Sequence, residues 1–422
     1  MNKNIVFIYP FQDNVKKCRF GFSYKMLQIA TIFQKYGNNV LILDYSYLSF
    51  NKKYFCNEII NFKADAIFIE FDSFSLKRSQ NYKSGLIIIN FLKEIKLNFS
   101  IVVYGDYFYF SHKDIKESNF TIISNNINDL LSTFNKIFNS DIPLIINYDL
   151  IPYINRELLY NIDFFYKNKY STLIETSSGC GNACSFCQIK KKYNNFVYHS
   201  IDYSVNEFKY LSFKNYKNIW IIDENFTFNL DRAKKLLISL IKYNYTKNMN
   251  LFISSWVNID KEFLDIALKA NIKTISFGIE SANSEILLFY NKKIDLLRFS
   301  ELALYCHKIG IFLVGNFMLG APMETHDTIN TTFKYIEDIK FDQVNIKILD
   351  YMQGSDIYND NINIMNNRFH VFACKENKLN NFYLNDLIEI KNKFLKQYYK
   401  KNNYRLMKKI YSFGMPYLPL KI

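Results

Sequence analysis

Gly179-Cys180-Gly181-Asn182-Ala183-Cys184-Ser185-Phe186-Cys187 places three thiols within eight residues in the pattern C-x3-C-x2-C. Three thiolates on so short a loop suit three corners of a cubic 4Fe-4S cluster. The fourth iron is then left without a protein ligand, as catalytic metal sites generally keep one position open. The competing reading is a structural zinc site. That requires a fourth ligand, and the nearby candidate is His199, twelve residues beyond Cys187.

Outward from this loop the sequence alternates between two periods. Strand-like runs at 172–176, 218–222, 250–255, 273–277, 312–319 and 343–349 are separated by helical stretches. Six such units in a row predict a partial (β/α)6 barrel of the TIM type, with chemistry at the carboxyl ends of its strands. The cysteine loop follows the first of them.

The first 140 residues repeat the alternation, with strand-like runs at 4–9, 39–43, 66–71, 100–104 and 120–123 and helical stretches at 22–36, 56–62, 81–95, 113–117 and 127–138. This predicts a doubly wound parallel sheet of Rossmann type, with ligands at the strands' carboxyl ends. No G-x-G-x-x-G follows the first strand, so a dinucleotide is not indicated. The expected organisation is an α/β chain with a sheet domain at 1–141, a linker at 142–168 containing Pro143 and Pro152, the barrel at 169–365, and a basic C-terminal helical extension at 366–422. In that extension Leu384, Leu387, Ile388, Leu395 and Tyr398 recur at helical spacing before an irregular tail near Pro416 and Pro419.

Seven cysteines are an odd number, and those outside the triad are widely scattered, so a disulfide framework is not expected and a reducing, cytoplasmic setting is. The apolar run 5–9 is too short for a signal peptide, and 86–92 falls well below the ~18 residues of a membrane span. A formal charge of +14 invites a nucleic-acid reading. That reading is weak, because Lys, Asn, Ile, Tyr and Phe are abundant throughout. The basicity does concentrate after residue 371, where eleven Lys and Arg face three Asp and Glu. A solvated tail or one facing a membrane surface accounts for it as well as RNA does.

The cysteine loop and three further segments resemble the radical S-adenosylmethionine family. Phe186 fits the aromatic position before the third cysteine, whose backbone lies near the adenine. Trp220-Ile-Ile-Asp223-Glu224-Asn225-Phe226-Thr227 is similar to the family's second-strand end, near the methionyl amine. Phe277-Gly278-Ile279-Glu280-Ser281 is similar to its fourth-strand end, where a carboxylate and a hydroxyl meet the ribose and methionyl groups. Val314-Gly-Asn316-Phe-Met318-Leu-Gly320-Ala-Pro322-Met-Glu324-Thr325 looks like its fifth-strand segment beside the adenosine. The resemblance implies Cys180, Cys184 and Cys187 as cluster ligands, with Phe186, Asp223, Glu224, Asn225, Glu280, Ser281, Asn316, Gly320 and Glu324 at the S-adenosylmethionine site. Where related enzymes often carry an arginine after the third-strand tryptophan, Trp256-Val257-Asn258 offers asparagine, which leaves Ser254 and Ser255 as candidates to hold the methionyl carboxylate.

The N-terminal sheet, the linker, Gln353 to Tyr358 and the aromatic basic tail look like the subgroup with an N-terminal cobalamin-binding domain, which implies a methyl donor. The axial-histidine loop of other cobalamin proteins has no counterpart between Pro10 and Phe22, and Tyr104-Gly105-Asp106 stands where Gly-Gly is frequent. Tyr104 and Gly105 are therefore the candidates at that site. His112, His307 and His326 read as surface or structural, and Cys306 and Cys374 as inert buried thiols. The expected activity is functionalisation of a C-H bond, foremost cobalamin-dependent methylation of a small-molecule, lipid or peptide substrate with a flavodoxin- or ferredoxin-type reductant. The alternatives are a radical oxidation, cyclisation or rearrangement with a vestigial cobalamin domain, a nucleic-acid methylthiotransferase, and a zinc-bearing binding module. No catalytic side chain is singled out.

Overall fold

In the computed structural model the residues described are 2–11, 22–45, 50–71, 80–95, 98–105, 121–123, 126–159, 171–189, 196–366, 368 and 370–412. Cys18, His112, the expected helix at 113–117 and the second part of the linker, 160–168, lie outside them. The chain divides into two compact units, Met1–Thr172 and Leu173–Ile422.

In the first unit, β1 (Asn4–Tyr9) is followed by α1 (Tyr24–Lys35), β2 (Asn39–Asp44), α2 (Lys52–Phe62), β3 (Ala66–Glu70), α3 (Gln80–Glu94), β4 (Ser100–Tyr104), β5 (Thr121–Ile123) and α4 (Ile127–Phe138). All five residues of β3 and five of the six in β1 are buried, the mark of strands covered on both faces. The strands pair in parallel in the order β2-β1-β3-β4-β5. The order reverses between β1 and β3, and that switch point opens a crevice at their carboxyl ends. Helix α2 starts four residues earlier than its apolar period suggests, because the Asn51 side chain accepts the Tyr54 N–H and caps it. The first part of the linker lies on this unit, where Asn128 pairs with both the N–H and the C=O of Ile145, at 2.7 and 3.0 Å.

The second unit begins within β6 (Ser171–Ile174) and runs through β7 (Ser177–Ser178), β8 (Val197–Tyr198), α5 (Ile201–Phe213), β9 (Asn218–Ile221), α6 (Leu230–Lys242), β10 (Asn250–Ser255) and α7 (Lys261–Lys269). Then come β11 (Ile272–Glu280), α8 (Ser284–Phe289), α9 (Leu296–Ile309), β12 (Phe312–Leu319), α10 (His326–Ile339) and β13 (Gln343–Ile348). It ends with β14 (Asp350–Met352), α11 (Asp356–Asp360), α12 (Ile362–Met365), β15 (His370–Phe372) and α13 (Leu384–Ser412). Six strands lie in the order β6-β9-β10-β11-β12-β13, the open (β/α)6 sheet that the alternation predicts. Its outer helices bury Leu236, Leu240, Phe263, Phe299 and Ile336 against the strands in one core. Each such side chain contributes roughly 2 kcal/mol. Ser200, Asn229, Asp260, Asn283, Asp295 and Thr325 each accept an N–H of the helix that follows, so these turns are locally specified.

The basic C-terminal helix is less of an appendage than its sequence suggests. Leu387, Phe394 and Tyr398 of α13 join the barrel core. The Tyr399 hydroxyl accepts the Val344 N–H at 2.9 Å and donates to the Val344 C=O at 3.0 Å, covering the backbone of edge strand β13. Residues 413–422 lie outside the description. Among the described residues no helix is long and apolar enough to cross a membrane.

Candidate active site

The chain leaves β6, forms β7, and enters the cysteine loop before returning as β8, which pairs antiparallel with β7. Cys184 is buried, while Cys180 and Cys187 are partly exposed. Within the loop the Cys187 N–H donates to the Cys184 carbonyl at 3.1 Å, and Asn182 Nδ2 donates to Cys180 Sγ at 3.5 Å.

Two clamps hold this loop. The first comes from the end of β9. Asp223 accepts the Thr176 N–H at 2.7 Å and both the Thr176 and Ser177 hydroxyls at 2.6 Å, while Glu224 accepts the Gly179 N–H at 3.0 Å. Arg232 adds bonds to the carbonyls of Thr176 and His199, each 2.8 Å. The second clamp is the turn after α8. Ser185 donates its N–H to the Tyr290 carbonyl at 3.0 Å and its hydroxyl to the Phe289 carbonyl at 2.8 Å, and Asn291 Nδ2 donates to the Ala183 carbonyl at 2.8 Å. Beyond the cysteines, Gln188 donates to the Gln353 carbonyl and the Ile357 N–H to the Ser185 carbonyl.

Burial pushes the Cys184 thiol up to about 11 and the Cys187 thiol up to about 12. The neighbouring Cys180 sulfur adds to the rise at both, and the Lys292 ammonium opposes it. Closely set thiols of this kind match a cationic metal cluster, because thiolate is the ligating form and positive charge stabilises it. His199 is buried with its ring stacked 3.8 Å from that of Tyr203. Among the described residues no group of three His, Cys, Asp or Glu side chains is set around a single-ion site.

The remaining sequence-derived candidates fall into three groups. Phe186, Glu280, Asn316 and Ser254 lie half-buried on the cysteine loop or along β10 to β12. Phe186 meets the Tyr290 ring edge to face at 5.2 Å. Asn316 donates to Ser276 Oγ at 2.8 Å and the Phe277 carbonyl at 2.9 Å, and accepts from Asn345 at 3.0 Å. A second group is spent on shaping strand ends. Asn225 accepts the Trp256 N–H, Ser255 bonds Thr227, and Glu324 accepts the N–H groups of Gly320 and Ala321 and the Thr328 hydroxyl. Burial raises the Glu324 carboxyl above its ordinary value. Asp223 and Glu224 belong here too. Ser281 forms the third group, turned toward Thr332 at 3.2 Å with 1 % exposure.

Sequence reasoning missed Lys292, Tyr290 and Asn291. Their local signal is an Asn-Lys pair directly after a short apolar helix; the partner of Asn291 on the cysteine loop lies 108 residues away in the chain, and Lys292 meets Glu280 12 residues back. The Tyr290 hydroxyl is fully buried without a hydrogen-bond partner among the described residues, and burial lifts it well above the ordinary phenol range.

At the carboxyl ends of β3 and β4 in the first unit, Glu70 accepts from the Ser23 hydroxyl at 2.5 Å and the Tyr104 hydroxyl at 3.2 Å. Tyr104 is fully buried. Gly105 passes so close to Phe71 that a Cβ would stand 2.0 Å from its carbonyl oxygen, so packing alone requires glycine there.

Residues 174–336 match the sequence model of the Radical SAM superfamily, which spans the barrel from the end of β6 through α10. The barrel part of the chain is thus similar to this superfamily. An uncharacterised methyltransferase of Pyrococcus horikoshii is 29% identical over 222 residues, covering 51% of this chain and 47% of its own. A ribosomal-protein methylthiotransferase of Caldicellulosiruptor saccharolyticus is 24% identical, covering 44% of this chain and 45% of its own. The chain thus spans about half the length of these curated relatives. The fold extends the likeness beyond the radical SAM domain. A radical S-adenosylmethionine methyltransferase, TsrM of Kitasatospora setae, solved with cobalamin and a [4Fe-4S] cluster, superposes with a TM-score of 0.71 at 14% identity, over 85% of this chain and 74% of that one.

Proposed function

We propose that this radical SAM enzyme carries a 4Fe-4S cluster on Cys180, Cys184 and Cys187, binds S-adenosylmethionine against it, and functionalises a C-H bond, foremost by cobalamin-dependent methylation. The observation that carries this reading is the cysteine loop clamped from both sides, by Asp223 and Glu224 at one flank and by Phe289 to Asn291 at the other. When bound, such a cluster supplies the electron that splits S-adenosylmethionine into methionine and a 5′-deoxyadenosyl radical. Phe186, Gly320 and the unpaired Tyr290 hydroxyl offer stacking, backbone and hydrogen-bonding partners for the adenosine. The half-buried Ser254, Asn316 and Asn345 supply uncharged polar contacts for the reacting molecules. The buried core beneath them excludes water, which protects a radical from quenching.

The crevice of the 2-1-3-4-5 sheet suits cobalamin by topology, with Ser23, Glu70 and Tyr104 forming its polar floor. Cobalamin there would supply the methyl group. The methylthiotransferase alternative would be supported by a second cysteine triad near the N-terminus, where the sequence has only Cys18 and Cys56.

Anaerobic reconstitution with iron, sulfide and cobalamin quantified, followed by a reductant-dependent assay for 5′-deoxyadenosine, tests the proposal. Near four irons per chain and deoxyadenosine formation are expected for the cluster. One zinc with no iron overturns it. If deoxyadenosine forms while labelled methyl never reaches a product, the methyl-transfer part falls and a radical oxidation or rearrangement replaces it.

A further inference from the structure

The two ends of the barrel differ in charge. The cysteine loop and its clamps stand at the carboxyl ends of the strands, and the opposite end, where helices turn back into strands, is basic. Lys214 and Lys217 lie in the turn before β9, and Lys247 lies in the turn before β10, after Lys242 closes α6. Lys308 is in the last turn of α9, and Lys340 follows α10 in the turn before β13. No acidic residue occurs at 214–217, 243–249, 270–271 or 310–311. Asp342, in the remaining turn, is buried and accepts the Leu313 N–H at 2.9 Å. Of the two acids in the last turn of α10, Glu337 and Asp338, the first meets Lys401 Nζ at 3.1 Å. Cations at helix C-termini complement the helix dipole, which accounts for Lys242 and Lys308 but not for the lysines in the turns.

Two further features lie at this end. Phe213, the last residue of α5, is 86 % exposed, and Tyr243, which follows α6, is 52 % exposed. Helix α13 also points out of it. A Cβ on Gly320, at the carboxyl end of β12, would stand 3.5 Å from Leu387, whereas Tyr398 and Tyr399 bond Phe341 and Val344 at the amino end of β13. From Tyr399 to Ser412 the helix continues for about 20 Å. Over 400–412 the sequence holds five Lys and Arg, no Asp or Glu, and Tyr404, Met407 and Tyr411 at helical spacing.

We propose that this end of the barrel, with the projecting part of α13, is a docking surface for an anionic lipid membrane. Lysines spread over one face are drawn to a negatively charged bilayer without needing a fixed register. Phe213 and the apolar stripe of the basic helix suit the boundary between headgroups and acyl chains. A nucleic acid would use the lysines but gives an apolar stripe nothing to enter. Strand β12, eight residues and about 26 Å long, separates this surface from the barrel mouth. A partner held here therefore neither feeds substrate to the cysteine loop nor hands it an electron. The surface tethers the enzyme and keeps the mouth of the barrel turned away from the bilayer.

The test is cosedimentation of the full chain with vesicles of phosphatidylcholine, alone or with roughly a third phosphatidylglycerol. Binding to the anionic vesicles is expected, weakening as salt rises. The quadruple variant Lys214→Glu, Lys217→Glu, Lys242→Glu, Lys247→Glu is expected to weaken it by about 30-fold or more. Phe213→Ser is expected to weaken it by about threefold or more. A control with the same change in net charge replaces Lys261, Lys293, Lys375 and Lys378, exposed toward the carboxyl ends of the strands, by Glu. It is expected to change binding by less than about threefold. Should the first quadruple variant fail to fold by circular dichroism, its Lys→Gln counterpart is expected to lose about tenfold and decides in its place. Equal loss in both quadruple variants, or full binding by Phe213→Ser, overturns the assignment. A chain that ignores the anionic vesicles but binds a single-stranded RNA oligonucleotide overturns it in favour of a nucleic acid, and one that binds neither overturns it outright.

Discussion

Asp223 is 1 % exposed and accepts three hydrogen bonds from Thr176 and Ser177, so its charge is compensated by the chain segment that leads into the cysteines. Burial raises its carboxyl above the ordinary value, and the three donors pull it back. Replacing it by alanine leaves those donors unpaired in a dry site, and Asp223→Ala is expected to cost about 3 kcal/mol in denaturant titration and to speed iron loss to a chelator. Each cysteine differs in kind. Cys184→Ala is expected to abolish retention of the cluster, read as iron per chain, while shifting the unloaded protein's stability by only about 1 kcal/mol, because a thiol and a methyl pack alike. The cysteine spacing was legible in the sequence, and so was the acidic pair at 223 and 224. The direction of those carboxylates was not, because it depends on strand-end geometry that no local pattern encodes.

At the scale of elements, the β7-β8 ribbon and its loop owe their shape to neighbours more than to themselves. Asn291, in a left-handed turn at φ of +50°, sends its side chain to Ala183 in the middle of the loop. Asn291→Ala is expected to leave the helical circular dichroism unchanged and to accelerate cluster bleaching by a chelator several-fold; an unchanged rate would show that this clamp does not hold the loop. A second elemental device is the covering of β13 by α13. Tyr399→Phe removes the hydroxyl that serves both backbone groups of Val344, and a loss of about 1–2 kcal/mol in urea is expected. The helix period of α13 was readable from Leu387 and Tyr398. That it seals a sheet edge was not, since a basic amphipathic helix carries no record of what its apolar stripe meets.

For the molecule as a whole, the proposed cluster would link cofactor binding to folding. Iron held by the folded thiolates in preference to the unfolded ones would stabilise the fold, so removing it from the reconstituted protein is expected to lower the midpoint of thermal unfolding, measured anaerobically with and without chelator. The sequence by itself determined the two α/β units and the cysteine loop, because strand and helix periods and covalent spacing act over a few residues. It also carried the strand-end segments by which the superfamily is recognised. Only the tertiary structure decided which acidic residues anchor the loop, that Tyr104 is turned inward onto Glu70, and that Lys292 meets Glu280 under Trp256. Those contacts join residues from separate β/α units, and their geometry is set by how strands stack and where a bulge falls. Such properties belong to the packed sheet and not to any stretch of the chain.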